Sequence, residues 1–375
     1  MKTVISDESP VRALLAAVGE EGDTDTEASL DELERLLETS GGICVARVIQ
    51  RRGAPDPKTY FGSGKCSEAA EFIRADGDIS LVVFDNELSP SQIRNLEDAL
   101  DCRVIDRTML ILDIFAQRAV TAEGKLQVEI ACLKYTSPRL TGRGAELSRL
   151  GGGIGTRGPG ESQLETDRRH LRRRIGALEA KLREVEKRRS VIRSGRSHSA
   201  LKTAALVGYT NAGKSSLLNH LTKAGALAED KLFATLDPMT RRLHLPSGKD
   251  MLLTDTVGFI SRLPHHLVDA FRSTLEEVKY ADIIVLLTDA SEPDDIRLKK
   301  LEVSQKLLDQ LGAGMKPVVK VCNKCDVAAP DSLPGPDFVM ISARTGEGID
   351  ELLKKLDEKL EEITTEKRHA ERNRF

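Results

Sequence analysis

The segment Gly208-Tyr209-Thr210-Asn211-Ala212-Gly213-Lys214-Ser215 is an unbroken G-x-x-x-x-G-K-S, and it restricts the surrounding fold more than any other run in the chain. Backbone N–H groups of such a loop converge on a phosphate where a strand ends and a helix begins, with the helix dipole favouring the anion. The flanks comply: Ala204-Ala205-Leu206-Val207 precedes the loop as an apolar strand, and Ser216-Leu217-Leu218-Asn219-His220-Leu221 follows as a helix. In that frame Gly208 through Ser216 would cradle the phosphates. Lys214 would reach the β- and γ-phosphates, and the Ser215 hydroxyl would ligate magnesium. A nucleoside triphosphate is the expected ligand.

Four later segments fall in the order that a guanine nucleotide switch needs. Phe233-Ala234-Thr235 lies in the first loop after that helix, where Thr235 can ligate magnesium and contact the γ-phosphate through its backbone. Met251-Leu252-Leu253-Thr254 is a strand ending in Asp255-Thr256-Val257-Gly258, a D-x-x-G. Asp255 is placed for the magnesium shell and Gly258 for an N–H to the γ-phosphate, so hydrolysis would release both loops. Pro317 to Cys322 runs as a strand into Asn323-Lys324-Cys325-Asp326, an N-K-x-D. Asp326 can accept from guanine N1–H and the exocyclic amine, whereas adenine would leave that carboxylate unpaired. Asn323 would tie this loop to the phosphate loop, and the Lys324 stem would cover the base. Ser342-Ala343-Arg344 follows the strand Phe338-Val339-Met340-Ile341, and the Ala343 N–H would meet guanine O6. The pattern implies GTP hydrolysis to GDP, with Lys214, Thr235, Gly258 and Asn211 as the catalytic set.

Phe259 stands where Ras-like switches carry the glutamine that orients the attacking water. An apolar side chain cannot do this. Asn211 makes the loop G-x-x-N-x-G-K-S, and similar loops occur in GTPases that use potassium in place of an arginine finger. Asn211 therefore has two readings, a potassium ligand or a structural loop asparagine. The expected behaviour is slow intrinsic turnover, raised by potassium or by a docked partner.

At 375 residues the chain is long enough for two or three domains. With 40% hydrophobic and 31% charged residues, sizeable cores are compatible with a soluble protein. The longest apolar runs, such as Ile283 to Leu287, are too short to span a bilayer, and the N-terminus resembles no signal peptide. Cys322 and Cys325 form the one C-x-x-C, and no second pair completes a zinc site. All six cysteines read as reduced residues of a cytoplasmic protein. The expected chain is a monomer without a DNA partner or membrane span.

The expected fold class is α/β: a P-loop GTPase domain with a doubly wound, mostly parallel sheet, preceded by a small α/β domain bearing a long antiparallel helical hairpin. Residues 1–40 read as an acidic extension with a short helix around Leu30 to Leu37. Strands at Ile43–Ile49, Ser80–Phe84 and Cys102–Ile105 alternate with helices at Cys66–Arg74 and Pro90–Leu100, the latter capped by Ser89, and make a small domain over 41–118. The hairpin takes 119–200, from a helix over 122–135 and another over 161–192. In the second, Leu164, Leu171, Ile175, Leu178, Leu182, Val185 and Ile192 follow a coiled-coil spacing. The GTPase domain covers 201–363, and 364–375 is a basic tail.

Between the two helices, residues 136–160 interleave glycine with arginine. From 139 to 200, 16 Lys and Arg stand against 7 Asp and Glu in a chain whose net charge is only −3. Arginine forks onto phosphate, and glycine admits close backbone approach. Arg139, Arg143, Arg149, Gly151, Gly152, Gly153 and Arg157 are the candidate RNA contacts, on a tip inserted into a structured nucleic acid. The alternative is a flexible loop beside a solvated basic helix.

The run from Arg149 to Glu165, with Gly151-Gly152-Gly153-Ile154-Gly155-Thr156-Arg157-Gly158-Pro159-Gly160 at its centre, resembles the glycine-rich signature of the HflX GTPases. Tyr60-Phe61-Gly62-Ser63-Gly64-Lys65, the phosphate loop, Phe233 to Pro238 and Asp255 to Ile260 are similar to that family too. Two departures stand out: Ser162 where threonine is commoner, and no separate domain after the last helix. The resemblance implies a large-subunit-binding GTPase that reaches the peptidyl transferase centre with its hairpin loop and splits stalled or idle ribosomes. Some members are also described as hydrolysing ATP. A large-subunit assembly or RNA-folding checkpoint, and a GTP-gated protein-recruitment module, remain alternatives.

Overall fold

The computed structural model describes residues 10–23, 25–140, 159–197, 201–223, 232–234, 236–261, 272–327 and 338–372. The chain folds as two compact units that divide between Val185 and Glu186.

The first unit is built on a four-stranded parallel sheet in the order β2-β1-β3-β4. Its strands are β1 (Arg12–Gly19), β2 (Ile43–Arg51), β3 (Leu81–Phe84) and β4 (Arg103–Asp106). Helices α1 (Asp25–Thr39), α2 (Ser63–Asp76) and α3 (Pro90–Leu100) make the crossovers. Ser89 caps α3 as expected and completes a capping box with Gln92. One expectation fails: the stretch given to an acidic extension contributes β1, which pairs on one side with β2 and on the other with β3. Its side chains from Ala13 to Ala17 are almost wholly buried. A strand covered on both faces shows no alternation to read.

A buried ion network joins α1 to the ends of β3 and β4, among fully buried apolar side chains such as Leu33 and Ile111. Arg107 donates to Asp85 Oδ1 at 2.8 Å and pairs with Glu32, while the Ser29 hydroxyl donates to Asp85 Oδ2 at 2.7 Å. Arg107 opens α4 (Arg107–Arg118), which is linked by Ala119-Val120-Thr121 to α5 (Ala122–Thr136). After a short 3-10 turn (Ser137–Leu140) comes α6 (Pro159–Ser197). Leu171, Ile175, Leu178, Leu182 and Val185 of the expected seam are covered or half-covered on α6, as are Glu179, Glu186 and Arg189. The side chains of Leu164 and Ile192 lie outside the described residues.

The direction of the helices departs from the expected hairpin. Arg174 pairs with Glu129 at 2.5 Å, and Glu179 with Lys134 at 2.8 Å. Moving the same number of residues forward along either helix leads from one pair to the next. Over this stretch α5 and α6 therefore run in the same sense, while the short-linked partner of α5 is α4.

The second unit has a six-stranded sheet in the order β10-β9-β8-β5-β7-β6, parallel except for the antiparallel edge strand β6. Its elements are β5 (Lys202–Gly208), α7 (Lys214–Thr222), β6 (Met239–His244), β7 (Asp250–Asp255), α8 (Arg272–Tyr280), β8 (Ile283–Asp289), α9 (Asp294–Gln310), β9 (Val318–Asn323), β10 (Phe338–Met340) and α10 (Ile349–Arg372). The expected tail after residue 363 instead continues α10 to Arg372. The core joins Leu206, Leu217, Leu253, Val285, Val321 and Leu352 across sheet and helices. That packing sets the carboxyl ends of β5, β7, β8 and β9 side by side, the end of an open α/β sheet where ligands bind. Among the described residues no helix is long and apolar enough to cross a membrane.

Candidate functional site

The phosphate loop, Asp255, the N-K-x-D loop and Ser342-Ala343-Arg344 gather at that end of the sheet. The phosphate loop leaves β5 at Gly208 and enters α7 at Lys214, with Gly213 as the N-cap at φ +86. A Cβ there would be strained and would collide with Asn323 Nδ2, so the position requires glycine. Asn323 is the tie between motifs. Its Nδ2 donates to Ala212 O at 2.9 Å, and its Oδ1 accepts the Ala343 N–H at 2.9 Å. One fully buried side chain thus holds the phosphate loop, the N-K-x-D loop and the Ser342-Ala343-Arg344 loop together. The Ala343 N–H, expected to face guanine O6, is directed at Asn323 in this arrangement.

Lys214 is buried, with Nζ donating to Tyr209 O at 2.9 Å and Gly208 O at 3.2 Å. Burial pushes its amine down to about 8, against the opposing pull of Asp255. The Ser215 hydroxyl donates to Asp255 Oδ2 at 2.6 Å, which brings two hard oxygens together at the end of β7. Thr256 turns inward to donate to Leu206 O, and Val257 is buried.

The segment around Gly258 is laced to the phosphate loop. Phe259 N–H donates to Gly208 O at 3.0 Å, and Thr210 N–H donates to Phe259 O at 2.7 Å. A Cβ on Gly258 would stand 2.7 Å from Thr210 Cα, so no larger residue fits between the two segments. Phe259 itself is buried, in keeping with its inability to orient water. The Tyr209 ring points away from the loop's backbone: its hydroxyl pairs with Ser261, and Lys300 Nζ sits 4.7 Å above the ring. Tyr209 can thus serve a phosphate through its backbone only. The Thr210 hydroxyl is buried without a hydrogen-bond partner. No sequence signal announced either feature.

At the base-reading end, Asp326 accepts from the Ser342 hydroxyl at 2.7 Å and pairs with Arg344 Nη2 at 2.5 Å. The Ser342 bond, with Arg344 in support, holds this carboxyl below the ordinary carboxylate value. Lys324, at φ +70, sends Nζ to Asp289 Oδ2 at 2.6 Å, which lays its stem along the loop. Asn211 takes φ +63, and Phe233 is buried at φ +55 beside the half-covered Ala234. Ser216 lies in the first turn of α7. Thr235 lies outside the described residues. All six cysteines are free thiols, and among the described residues no cluster of His, Cys, Asp or Glu could hold a metal.

Of the candidate RNA contacts, Arg143, Arg149, Gly151, Gly152, Gly153 and Arg157 lie outside the described residues. Arg139 is described, and its guanidinium is already engaged. It stacks on the Tyr135 ring at 3.5 Å and donates to Tyr135 O, Leu88 O and Asp106 Oδ2 at 2.7, 3.0 and 3.2 Å. Fully buried Asp106 also takes the Tyr135 hydroxyl and caps α4 through Met109 N–H. Arg139 is therefore an anchor at the start of the glycine-rich run rather than a surface contact. Arg139→Ala leaves Asp106 without its cation and should cost about 1–3 kcal/mol locally. Faster hydrogen exchange across Ala122–Thr136 is the expected readout, and unchanged exchange would show the anchor to be dispensable.

Residues 27–116 match the family described as GTP-binding GTPase N-terminal, and 118–196 the GTP-binding GTPase middle region. Residues 203–324 match the 50S ribosome-binding GTPase family. The GTPase HflX of Lacrimispora saccharolytica is 54% identical over 351 residues, covering 92% of this chain and 82% of its own length. That of Escherichia coli is 46% identical over 339 residues, covering 88% and 79%. Among solved structures, the complex of SsGBP with GDP covers 95% of this chain and 99% of its own at 24% identity and a TM-score of 0.50, a likeness of fold.

Proposed function

This chain belongs to the HflX family of GTPases, and from that premise we propose a GTP-driven switch that binds the large ribosomal subunit and separates stalled or idle ribosomes. GTP hydrolysis is the chemistry of the family. Within the site, Asp326 selects guanine and Lys214 meets the β- and γ-phosphates. Gly258 reports the γ-phosphate through its N–H. The observation that carries the nucleotide reading is the Asn323 tie, which sets the base loop at a fixed place beside the phosphate loop.

Ser215 and Asp255 would hold magnesium, joined by Thr235, and the hydroxyl–carboxylate pairing at 2.6 Å suits such an ion. When bound, magnesium supplies charge neutralisation at the bridging phosphate oxygens. Asn211 is the candidate potassium ligand, which would offset the missing glutamine at Phe259. Equal turnover in sodium and potassium would remove that role.

Binding to the large subunit is supported by the matched family over 203–324 and by the arginine–glycine run that Arg139 secures at its start. Phosphate contacts of this kind make affinity fall steeply with salt. Incubating 70S particles with the protein and GTP, then sedimenting them, tests the splitting activity. Conversion to 50S and 30S peaks is expected. Persistent 70S particles beside protein bound to free large subunits would replace splitting with an assembly role.

A further inference from the structure

Arg344 and Asp326 meet although they come from separate motifs. Arg344 Nη2 lies 2.5 Å from Asp326 Oδ2, while Ser342 holds the other carboxylate oxygen at 2.7 Å. Oδ2 is sealed from solvent beneath that guanidinium, so Arg344 covers the oxygen. The arginine side chain is 76% exposed and that of Asp326 only 10%, so one partner can swing into water while the other stays in place.

The guanidinium is a planar fork of N–H donors. The guanine edge that a carboxylate recognises, N1–H beside the exocyclic amine, has the same N–C–N arrangement of donors. We propose that Arg344 is an internal competitor of the guanine base, covering Asp326 until an incoming nucleotide displaces it, and so sets the rate of nucleotide entry. The proposal rests on Asp326 as the base-recognising group. Displacement is favoured because an exposed ion pair is worth little and the released guanidinium is solvated, while the base brings two hydrogen bonds to the carboxylate. The apparent affinity for any base is scaled by the fraction of molecules with the carboxylate uncovered. Arg344 thus changes the ease of entry, and selectivity stays with Asp326.

Stopped-flow association of a fluorescent GDP with the full chain tests this. Arg344→Ala and Arg344→Gln should each associate roughly two- to fivefold faster than the parent at low ionic strength, the worth of an exposed ion pair. The advantage should vanish near 1 M salt, where screening reaches to about 3 Å. Equal rates at low salt would overturn the proposal. Slower association would also overturn it, by showing that Arg344 holds the base. Asp326→Ala reads the underlying role separately: an intact preference for GDP over ADP would remove base recognition by Asp326, and the competitor with it.

Discussion

Asp326→Asn is expected to lower GDP affinity by roughly 10²- to 10⁴-fold and to transfer preference to xanthosine diphosphate. Two hydrogen bonds from guanine to a charged carboxylate are lost, each worth about 1.5–3 kcal/mol, and each 1.4 kcal/mol is about tenfold. The asparagine amide instead offers a donor to the xanthine O2 and an acceptor to N1–H. The carboxylate's present setting supports the assignment: Ser342 and Arg344 keep it ionised within a loop that Asn323 fixes to the phosphate loop. Isothermal titration with both nucleotides measures the exchange. An unchanged GDP affinity would show that the base is read elsewhere.

Asn323→Ala should produce the largest loss of stability among single changes at the site. Its side chain is buried, and the Ala212 carbonyl and Ala343 N–H that it pairs would both be left unsatisfied. Each orphan costs about 1–3 kcal/mol, so the second unit should melt roughly 5–15 °C lower at its size. Nucleotide affinity should fall as well, since the base loop is no longer held at its distance from the phosphates. Calorimetry in the absence and presence of GDP resolves the two effects. A melting point within a degree of the parent would mean that the loops are positioned by packing alone.

The second unit could be read from sequence because its motifs are local. Each lies at a strand end, and the strand–loop–helix context fixes what the backbone must do. Asn323 was foreseen as a tie because an amide at that position has a donor and an acceptor to place between two loops. The first unit was harder. Arg12 to Gly19 is rich in alanine and leucine, which are weak strand formers, and burial on both faces removes the alternation that marks a strand. Arg139 read as a candidate RNA contact in its glycine–arginine setting. What seats it is Asp106, far along the chain at the end of β4, a contact that no spacing rule reveals. The common direction of α5 and α6 was likewise beyond periodicity, which locates a helix face but not its partner's orientation. The meeting of Arg344 with Asp326 belongs to the same class, since two motifs read separately gave no reason to pair them.

The proposed switch predicts that nucleotide state controls attachment to the ribosome through the segment around Gly258. Cosedimentation of the full chain with separated large and small subunits, in GTP, GDP and a non-hydrolysable GTP analogue, tests this most directly. The expected result is retention on the large subunit with the analogue, weaker retention with GDP, and none on the small subunit at physiological salt. Equal retention in all three nucleotides, or an equal share on both subunits, would contradict the account.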